Sequence, residues 1–211
     1  MNNQKDTDMG TNQDYKNRAL ASLEGKWTEG AIATLIVFVI TGGIGSIVAS
    51  PMDELAGSAF NGLWSLLCLP MGWGLTVYFL NLIRNADINY GRLFDGYKDF
   101  VRIFFTLLLA GLAVSISCLF FIIPGIIVGL MLSQTSFIMK DDPQIGFVDA
   151  MKESSNLMKG HKMELFWLTL SFFGWFILAC LTLGLGFLLL VPYWYTTLAH
   201  FYEDLKAEQT L

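Results

Sequence analysis

The sequence is poor in charged residues, which make up 15% of the chain, whereas apolar residues make up 54%. A soluble domain carries roughly 25% charged residues, so most of this surface is not suited to water. The formal net charge is −5, and no basic patch interleaved with aromatic residues is present. Nucleic-acid binding is therefore not indicated, and we expect a protein surrounded largely by lipid.

Motifs of enzyme chemistry are also missing. The chain contains no GxSxG, no HExxH and no glycine-rich phosphate loop, so neither a hydrolase nor a nucleotide-binding site is indicated. Its three cysteines, Cys68, Cys118 and Cys180, lie in apolar runs without a CxxC pair. This placement favours apolar packing over a zinc or redox site. We expect a non-enzymatic protein without a cofactor.

Long apolar runs dominate what is present. They predict six transmembrane helices, because about 20 apolar residues suffice to cross a bilayer. Their approximate bounds are 31–49, 59–83, 103–123, a fourth that ends near 139, 163–183 and 187–201. No charged residue or histidine lies in the middle of any span. Since such residues within a membrane are usually functional, their absence argues against a proton- or sodium-coupled carrier.

Three segments that precede spans have one apolar and one polar face, which is typical of amphipathic helices at a membrane surface. Their apolar positions are Tyr15, Ala19, Leu20, Leu23 and Trp27 in the first, Tyr90, Leu93, Phe94, Tyr97, Phe100, Val101 and Phe104 in the second, and Phe147, Val148, Met151 and Met158 in the third. We expect the apolar residues of the third segment to face inward.

The fold class expected is an all-α integral membrane protein. Its six transmembrane helices form three hairpins, each preceded by a cytoplasmic amphipathic interfacial helix. Residues 1–13 are expected to be a disordered cytoplasmic tail, 14–205 a single membrane domain, and 206–211 a C-terminal tail. Pro70 is expected to kink the second span.

Related residues recur along the chain and suggest an internal repeat. A glycine lies late in each surface segment, and a proline lies in or at the start of each second span; these residues are Gly25, Gly96, Gly160, Pro70, Pro124 and Pro192. The pattern predicts parallel pseudo-repeats at about 14–83, 84–139 and 140–205. Convergence of interfacial helices on similar residues is the alternative.

The positions of the cations predict the orientation. All 13 Lys and Arg residues lie in the N-terminal segment, in 84–102, in 140–162 or in the C-terminal tail. None lies in the connections 50–58, 124–125 or 182–186. Because cationic loops stay on the cytoplasmic side, both termini are expected in the cytoplasm.

A few polar and aromatic residues are candidates for a functional site. Gln134, Trp73 and Tyr193 would line a cavity between spans, although Gln134 would equally bond between helices. Seven cations on the cytoplasmic side would contact anionic lipid headgroups or act only as determinants of topology. They are Arg84, Arg92, Lys98, Arg102, Lys152, Lys159 and Lys162.

The two histidines each precede a glutamate by three residues. His161 is followed by Glu164, and His200 by Glu203, so each pair shares a helix face. Two histidines and two glutamates would suit a transition metal. The pairs flank the headgroup region rather than the bundle core, however, which favours ordinary interfacial hydrogen bonds over a metal site.

Several short motifs recur in a known family; they are LEGKW, FDGYKDF, IPGI, LMKGHKMELF, LTLGLG, VPYW and FYEDL. With these motifs the chain resembles an uncharacterised family of bacterial polytopic membrane proteins, known only as a domain of unknown function. The family is in turn distantly similar to the membrane domain of some glycerophosphodiester phosphodiesterases. The resemblance implies a six-helix protein of the bacterial inner membrane. It supplies no activity and no catalytic residues.

Three functions follow as hypotheses. The first is a non-enzymatic membrane protein that engages lipids, or another membrane protein, through apolar grooves and interfacial helices. The second is a transporter or exporter of small apolar or amphipathic molecules, which requires a cavity between the spans. The third is a metal-dependent membrane enzyme that uses the His–Glu pairs.

Overall fold

The computed structural model describes residues 9–209, and this part of the chain is helical without strands. A π-helical segment, Val39–Ile44, joins α2 to α3, and a 3₁₀ helix, Tyr90–Tyr97, lies between α5 and α6. The all-α prediction is thereby confirmed. The α-helices are α1 (Asn12–Leu23), α2 (Trp27–Phe38), α3 (Gly45–Ala49), α4 (Glu54–Leu67), α5 (Leu69–Ile83), α6 (Phe100–Phe120), α7 (Ile122–Leu132), α8 (Thr135–Asp141), α9 (Phe147–Leu157), α10 (Lys162–Leu170), α11 (Phe173–Leu181) and α12 (Phe187–Gln209).

The two predicted tails fall partly outside the described residues, which exclude 1–8 and 210–211. In the described part, α1 already begins at Asn12 because Thr11 and Asp14 form a capping box, in which each side chain accepts a hydrogen bond from the other residue's backbone N–H. At the other end α12 continues to Gln209. The segment expected as a C-terminal tail is therefore helical as far as it is described.

Five stretches of the described chain are long and apolar enough to cross a membrane. They are Trp27–Ala49, Glu54–Ile83, Phe100–Phe120, Ile122–Asp141 and Lys162–Leu181. These stretches agree with the first five predicted spans and with the membrane class of the protein. The predicted sixth span, 187–201, is not among them, because the second half of α12 carries a histidine, acids and a lysine.

The second stretch is the centre of the bundle. At 30 residues it is about 45 Å long, which exceeds the roughly 30 Å of a hydrocarbon core. The helix is interrupted at Cys68, between α4 and α5, and Pro70 lies in the first turn of α5, in agreement with the expected kink. Nearly every residue of α5 from Pro70 to Leu82 is buried. The 3₁₀ segment, α2, α6, α8 and α12 pack on α5, whereas α4 is mostly exposed.

The second surface segment differs from its prediction. Residues 90–97 form a 3₁₀ helix that packs closely on α5, not an α-helix with one apolar stripe. The approach depends on Gly74, whose Cα faces the Leu93 carbonyl, and on Gly96, which faces the Pro70 carbonyl. Leu93 is buried, whereas Phe94 remains 45% exposed. Contact between two backbones, rather than a 3.6-residue period, sets the conformation of this segment.

The first surface helix, α1, packs on α12. Tyr15, Ala19 and Leu23 are buried, and the Tyr15 ring lies 5.3 Å from that of Phe201 between centroids. Leu20, expected in the same apolar stripe, is exposed. Much of the apolar face of α1 is therefore covered by protein rather than by lipid.

The third surface helix, α9, buries a different face from the one predicted. Phe147 and Val148 are exposed, although Met158, just beyond the helix, is fully buried as expected. The inward face of α9 contains Ala150 and Ser154. Small side chains permit a close approach, and the Ser154 hydroxyl donates to the Met131 carbonyl at 2.7 Å.

The residues of the suggested repeat do not have equivalent roles. Gly25 and Gly160 adopt positive φ, at 75° and 91°, where glycine is favoured. Gly96, their expected counterpart, is instead a point of close backbone contact. Pro192 lies inside α12, whereas Pro70 lies at the start of a helix. The threefold repeat therefore stays a prediction.

Candidate functional site

The fifth apolar stretch is interrupted at Ser171 and Phe172, between α10 and α11. Phe172 is buried there, with its ring 4.9 Å from Tyr193 and 5.0 Å from Trp194 between centroids. A groove of about 430 Å³ opens beside this break, between α10–α11 and α12. We name it the hairpin groove. Its lining residues are Thr169, Phe172, Phe173, Phe176, Phe187, Leu190, Val191 and Trp194.

The lining of the hairpin groove is almost entirely apolar. Its one hydroxyl, on Thr169, already donates to the Leu165 carbonyl at 2.8 Å. The volume lies within the roughly 300–1,000 Å³ that is usual for ligand sites. The groove therefore suits an apolar chain and offers no group that would catalyse a reaction.

A second groove of about 400 Å³ lies on another side of the same hairpin, between α11–α12 and the start of α2. Tyr193 lines it together with Trp27, and their rings are 6.5 Å apart between centroids. Leu190 lines both grooves. The α11–α12 hairpin thus presents apolar concavities on more than one face.

Lys16 of α1 lies against the helix break. Its Nζ donates to the Ser171 carbonyl at 2.9 Å and is 4.6 Å from the centroid of the Phe172 ring, a distance typical of a cation–π contact. Burial lowers the pKa of the Lys16 ammonium. A cation is therefore held directly over one of the rings that line the hairpin groove.

The three residues predicted to line a cavity have other contacts. Trp73 packs with Val77 and Ile103 in a small core, and its indole N–H donates to the Ser136 carbonyl at 3.0 Å. Gln134 is fully buried, and its amide nitrogen donates to the Ser133 hydroxyl at 2.9 Å. Of the three, Tyr193 lines one of the grooves described above. The contacts of Trp73 favour helix packing, whereas the side chain of Gln134 bonds only to its chain neighbour, and its Oε1 is buried without a hydrogen-bond partner among residues 9–209.

The predicted His–Glu pairs behave differently from each other. His161 Nδ1 lies 3.0 Å from Glu164, as the spacing predicts, and its Nε2 lies 3.4 Å from Glu208. His200 instead contacts the Ser22 hydroxyl at 2.8 Å. Glu203 forms an ion pair with Arg84, which directly follows α5. Within residues 9–209, no three His, Cys, Asp or Glu side chains are grouped as metal ligands.

Most of the predicted headgroup contacts are engaged with acids. Among the described residues, Lys159 and Lys162 are the two predicted headgroup cations that form no ion pair. The others pair as Arg84 with Asp141 and Glu203, Arg92 with Asp87 and Asp95, Lys98 with Asp95, Arg102 with Asp99, and Lys152 with Asp149. Their charge is largely neutralised within the protein.

Arg84 is the centre of a polar network that joins the ends of α5, α8 and α12. It binds Asp141 at 2.5 Å and Glu203 at 2.6 Å, and Asp141 also accepts from Lys206 at 2.5 Å and from the Tyr202 hydroxyl at 3.0 Å. Hydrogen bonding to Asp141 is the main reason that the pKa of Arg84 is raised. The network holds these helix ends together.

A bidentate pair ties α1 to α12. Arg18 donates to both carboxylate oxygens of Asp204, at 2.6 and 2.8 Å, and this hydrogen bonding raises the pKa of Arg18. The pair lies two residues from Lys16. It therefore fixes the helix that carries Lys16 over the groove.

Two features of the folded chain are not evident from the sequence. The first is the position of Lys16, since nothing in the sequence pattern connects it to Phe172. The second feature is Glu29, which lies in the first turn of α2, ahead of the predicted start of the span. Its Oε2 and the hydroxyl of the nearby Tyr78 are both buried without hydrogen-bond partners among residues 9–209.

Comparison with known proteins places the site within a region of recognisable sequence. Neither the curated proteins nor the solved structures contain a match to the chain. Residues 112–209 match the model of a family described as a protein of unknown function, DUF975. This match spans the end of α6 and all helices from α7 to α12. Over the part that forms the hairpin groove, the chain is therefore similar to a protein family of unknown function.

Proposed function

We propose that this chain is a non-enzymatic protein of the bacterial inner membrane that binds membrane lipid through the hairpin groove. The observation that carries the proposal is the largely apolar lining of this 430 Å³ concavity, whose one hydroxyl, on Thr169, already donates to a backbone carbonyl. In a bilayer, acyl chains are the molecules that surround such a surface. Lipid is therefore the partner proposed, and no catalytic step is assigned.

The proposal includes six spans with both termini in the cytoplasm. The contacts of α12 support a sixth crossing, because its C-terminal part contacts two positions that are expected to be cytoplasmic. Glu203 binds Arg84, just after the second span, and Glu208 contacts His161, just before the fifth. Since the fifth stretch leaves this polar layer, α12 has to return to it. The positive-inside rule supports the cytoplasmic assignment.

Reporter fusions test this topology. Fusions at the C-terminus and within 84–99 should be active only for a cytosolic reporter, whereas fusions near 51 and 184 should be active only for an exported one. A cytosolic signal from the connector near 184 would contradict the sixth crossing. The resemblance to the membrane domain of glycerophosphodiester phosphodiesterases supports the six-helix arrangement and brings no phosphodiester chemistry with it.

Native mass spectrometry of gently extracted protein tests the binding of lipid. The wild type should retain phospholipid, and Val191→Trp should lose it because the indole fills the groove. Leu119→Trp is the matched control, since Leu119 is 84% exposed on α6 and does not line the groove. A lipid-free wild type, or equal retention in both variants, would contradict the proposal, provided that thermal unfolding shows both variants to be folded.

A further inference from the structure

We propose that the hairpin groove selects an anionic phospholipid, whose phosphate meets Lys16 while an acyl chain lies along the groove. The inference rests on the proposed binding of lipid by the same groove and adds the class of headgroup. Lys16 was not among the cations expected to contact headgroups. Its position relative to Phe172 assigns it this role.

Lys16 has no counter-charge within the described chain. No carboxylate of residues 9–209 forms an ion pair with it, whereas Arg18, two residues along the same helix, is held by both oxygens of Asp204. The ammonium has three N–H donors, and the Ser171 carbonyl accepts from one of them. Two N–H donors of the Lys16 ammonium therefore have no hydrogen-bond acceptor among residues 9–209, and its positive charge has no counter-ion there.

The position of Lys16 disfavours its charged form. Lys16 is partly buried, and burial alone disfavours its charged form. A partly buried cation is stable when an anion accompanies it. The phosphate of a lipid would supply that anion, and lysine binds phosphate as a compact point charge. Among residues 9–209, no carboxylate forms an ion pair with Lys16.

Other occupants would fit the groove and Lys16 less well. A peptide in extended conformation would leave its backbone N–H and C=O groups unpaired against the aromatic lining, which is costly in a membrane. A zwitterionic lipid carries its own cation, which competes with Lys16 for the phosphate. An anionic phospholipid matches both parts of the site, because its acyl chain is apolar and its net charge is negative.

Lipid competition on the full chain provides the test. Purified protein is titrated with phosphatidylglycerol and with phosphatidylcholine of identical acyl chains, and bound lipid is counted by native mass spectrometry. We expect the wild type to prefer the anionic lipid about fivefold, the effect of one lysine charge near an anionic headgroup. Lys16→Gln should remove this preference, although its amide can still donate to the Ser171 carbonyl, and Lys16→Arg should restore it.

Lys159→Gln is the matched control, because it removes the same charge from an exposed lysine that lies outside the groove and, among the described residues, has no ion pair. It should keep the wild-type preference. Equal affinity of the wild type for both lipids would overturn the inference, as would an equal loss in Lys159→Gln. The wild-type comparison decides alone if Lys16→Gln does not fold.

These measurements also distinguish a failure of the proposed lipid selectivity from a failure of the proposed binding of lipid. If Val191→Trp abolishes binding of both lipids while Lys16→Gln leaves their ratio unchanged, the groove binds lipid without selecting its charge. If neither lipid binds the wild type, or Val191→Trp binds both normally, the proposed function itself is wrong.

Discussion

Gly74→Ala should destabilise the protein far more than the same change two residues away. Gly74 lies where α5 meets the 3₁₀ segment 90–97, and an added Cβ would lie 2.6 Å from the Leu93 carbonyl carbon and 2.9 Å from its Cα. Ordinary contacts of this kind begin at 3.4 Å. The segment would have to retreat by more than 0.8 Å, the difference between 3.4 and 2.6 Å for the carbonyl carbon, because the Leu93 carbonyl oxygen lies closer still.

The magnitude follows from the kind of atom that is struck. A flexible side chain would rotate away, but Leu93 presents its backbone, so the whole segment must move. Overpacking costs about 1–3 kcal/mol, and we expect the upper end because the hydrogen bond from the Tyr97 hydroxyl to the Leu67 carbonyl, at 3.0 Å, depends on the same packing. The better helix propensity of alanine offsets at most about 1 kcal/mol.

Gly72→Ala is the control for helix propensity. A Cβ at Gly72 meets nothing within 4 Å, so this variant should be neutral or more stable by up to about 1 kcal/mol. Unfolding in mild detergent, followed by tryptophan fluorescence, measures both variants. Equal stability of Gly74→Ala and Gly72→Ala would refute the reasoning, since it would mean that the two backbones are not in contact.

Three further perturbations test the polar contacts. Arg84→Met should lower the free energy of unfolding by about 1–2 kcal/mol, because Arg84 and Asp141 are 29% and 17% exposed and the strength of such an ion pair lies between that of a surface pair and that of a buried pair. A double-mutant cycle with Asp141→Asn should show coupling between the two residues, and additive effects would contradict it. Asp204→Asn should loosen α1 and speed its removal by limited proteolysis, and an unchanged cleavage rate would contradict the role of Arg18. Burial opposes ionisation of Asp95, but hydrogen bonds from Lys98 and Arg92 outweigh it and lower its pKa below 3.8. The contribution of the Asp95 carboxylate to folding stability is therefore present above about pH 4 and is lost as the pH falls through the lowered pKa. Asp95→Asn should accordingly flatten the acid side of a plot of unfolding free energy against pH.

The sequence alone predicts the five long apolar helical stretches, for a physical reason. Solvation by lipid acts on each residue independently, so a run of apolar side chains marks a span without knowledge of the fold. The agreement of five stretches with the predicted bounds follows from this, as does the break near Pro70, which depends on the geometry of a single residue. The polar second half of α12 shows the limit, because protein contacts there take the place of lipid.

Packing partners were not predictable in the same way. Phe147 and Val148 of α9 were expected inward because they are apolar, yet in a lipid-surrounded protein apolar residues are equally suited to the outside. Ala150 and Ser154 face inward because small residues allow close approach. The candidate site was missed for a related reason: the break at Ser171 involves no proline, and only the folded chain brings Lys16 to it.

The docking of α1 on α12 has a consequence for how the protein is made. Helix α1 emerges from the ribosome before α12, which supplies the surface that buries Tyr15, Ala19 and Leu23. Until α12 has been synthesised, the apolar face of α1 has only lipid to contact. A nascent chain that stalls before residue 200 would lack Phe201 and Asp204 and so could not retain this helix, leaving Lys16 unplaced.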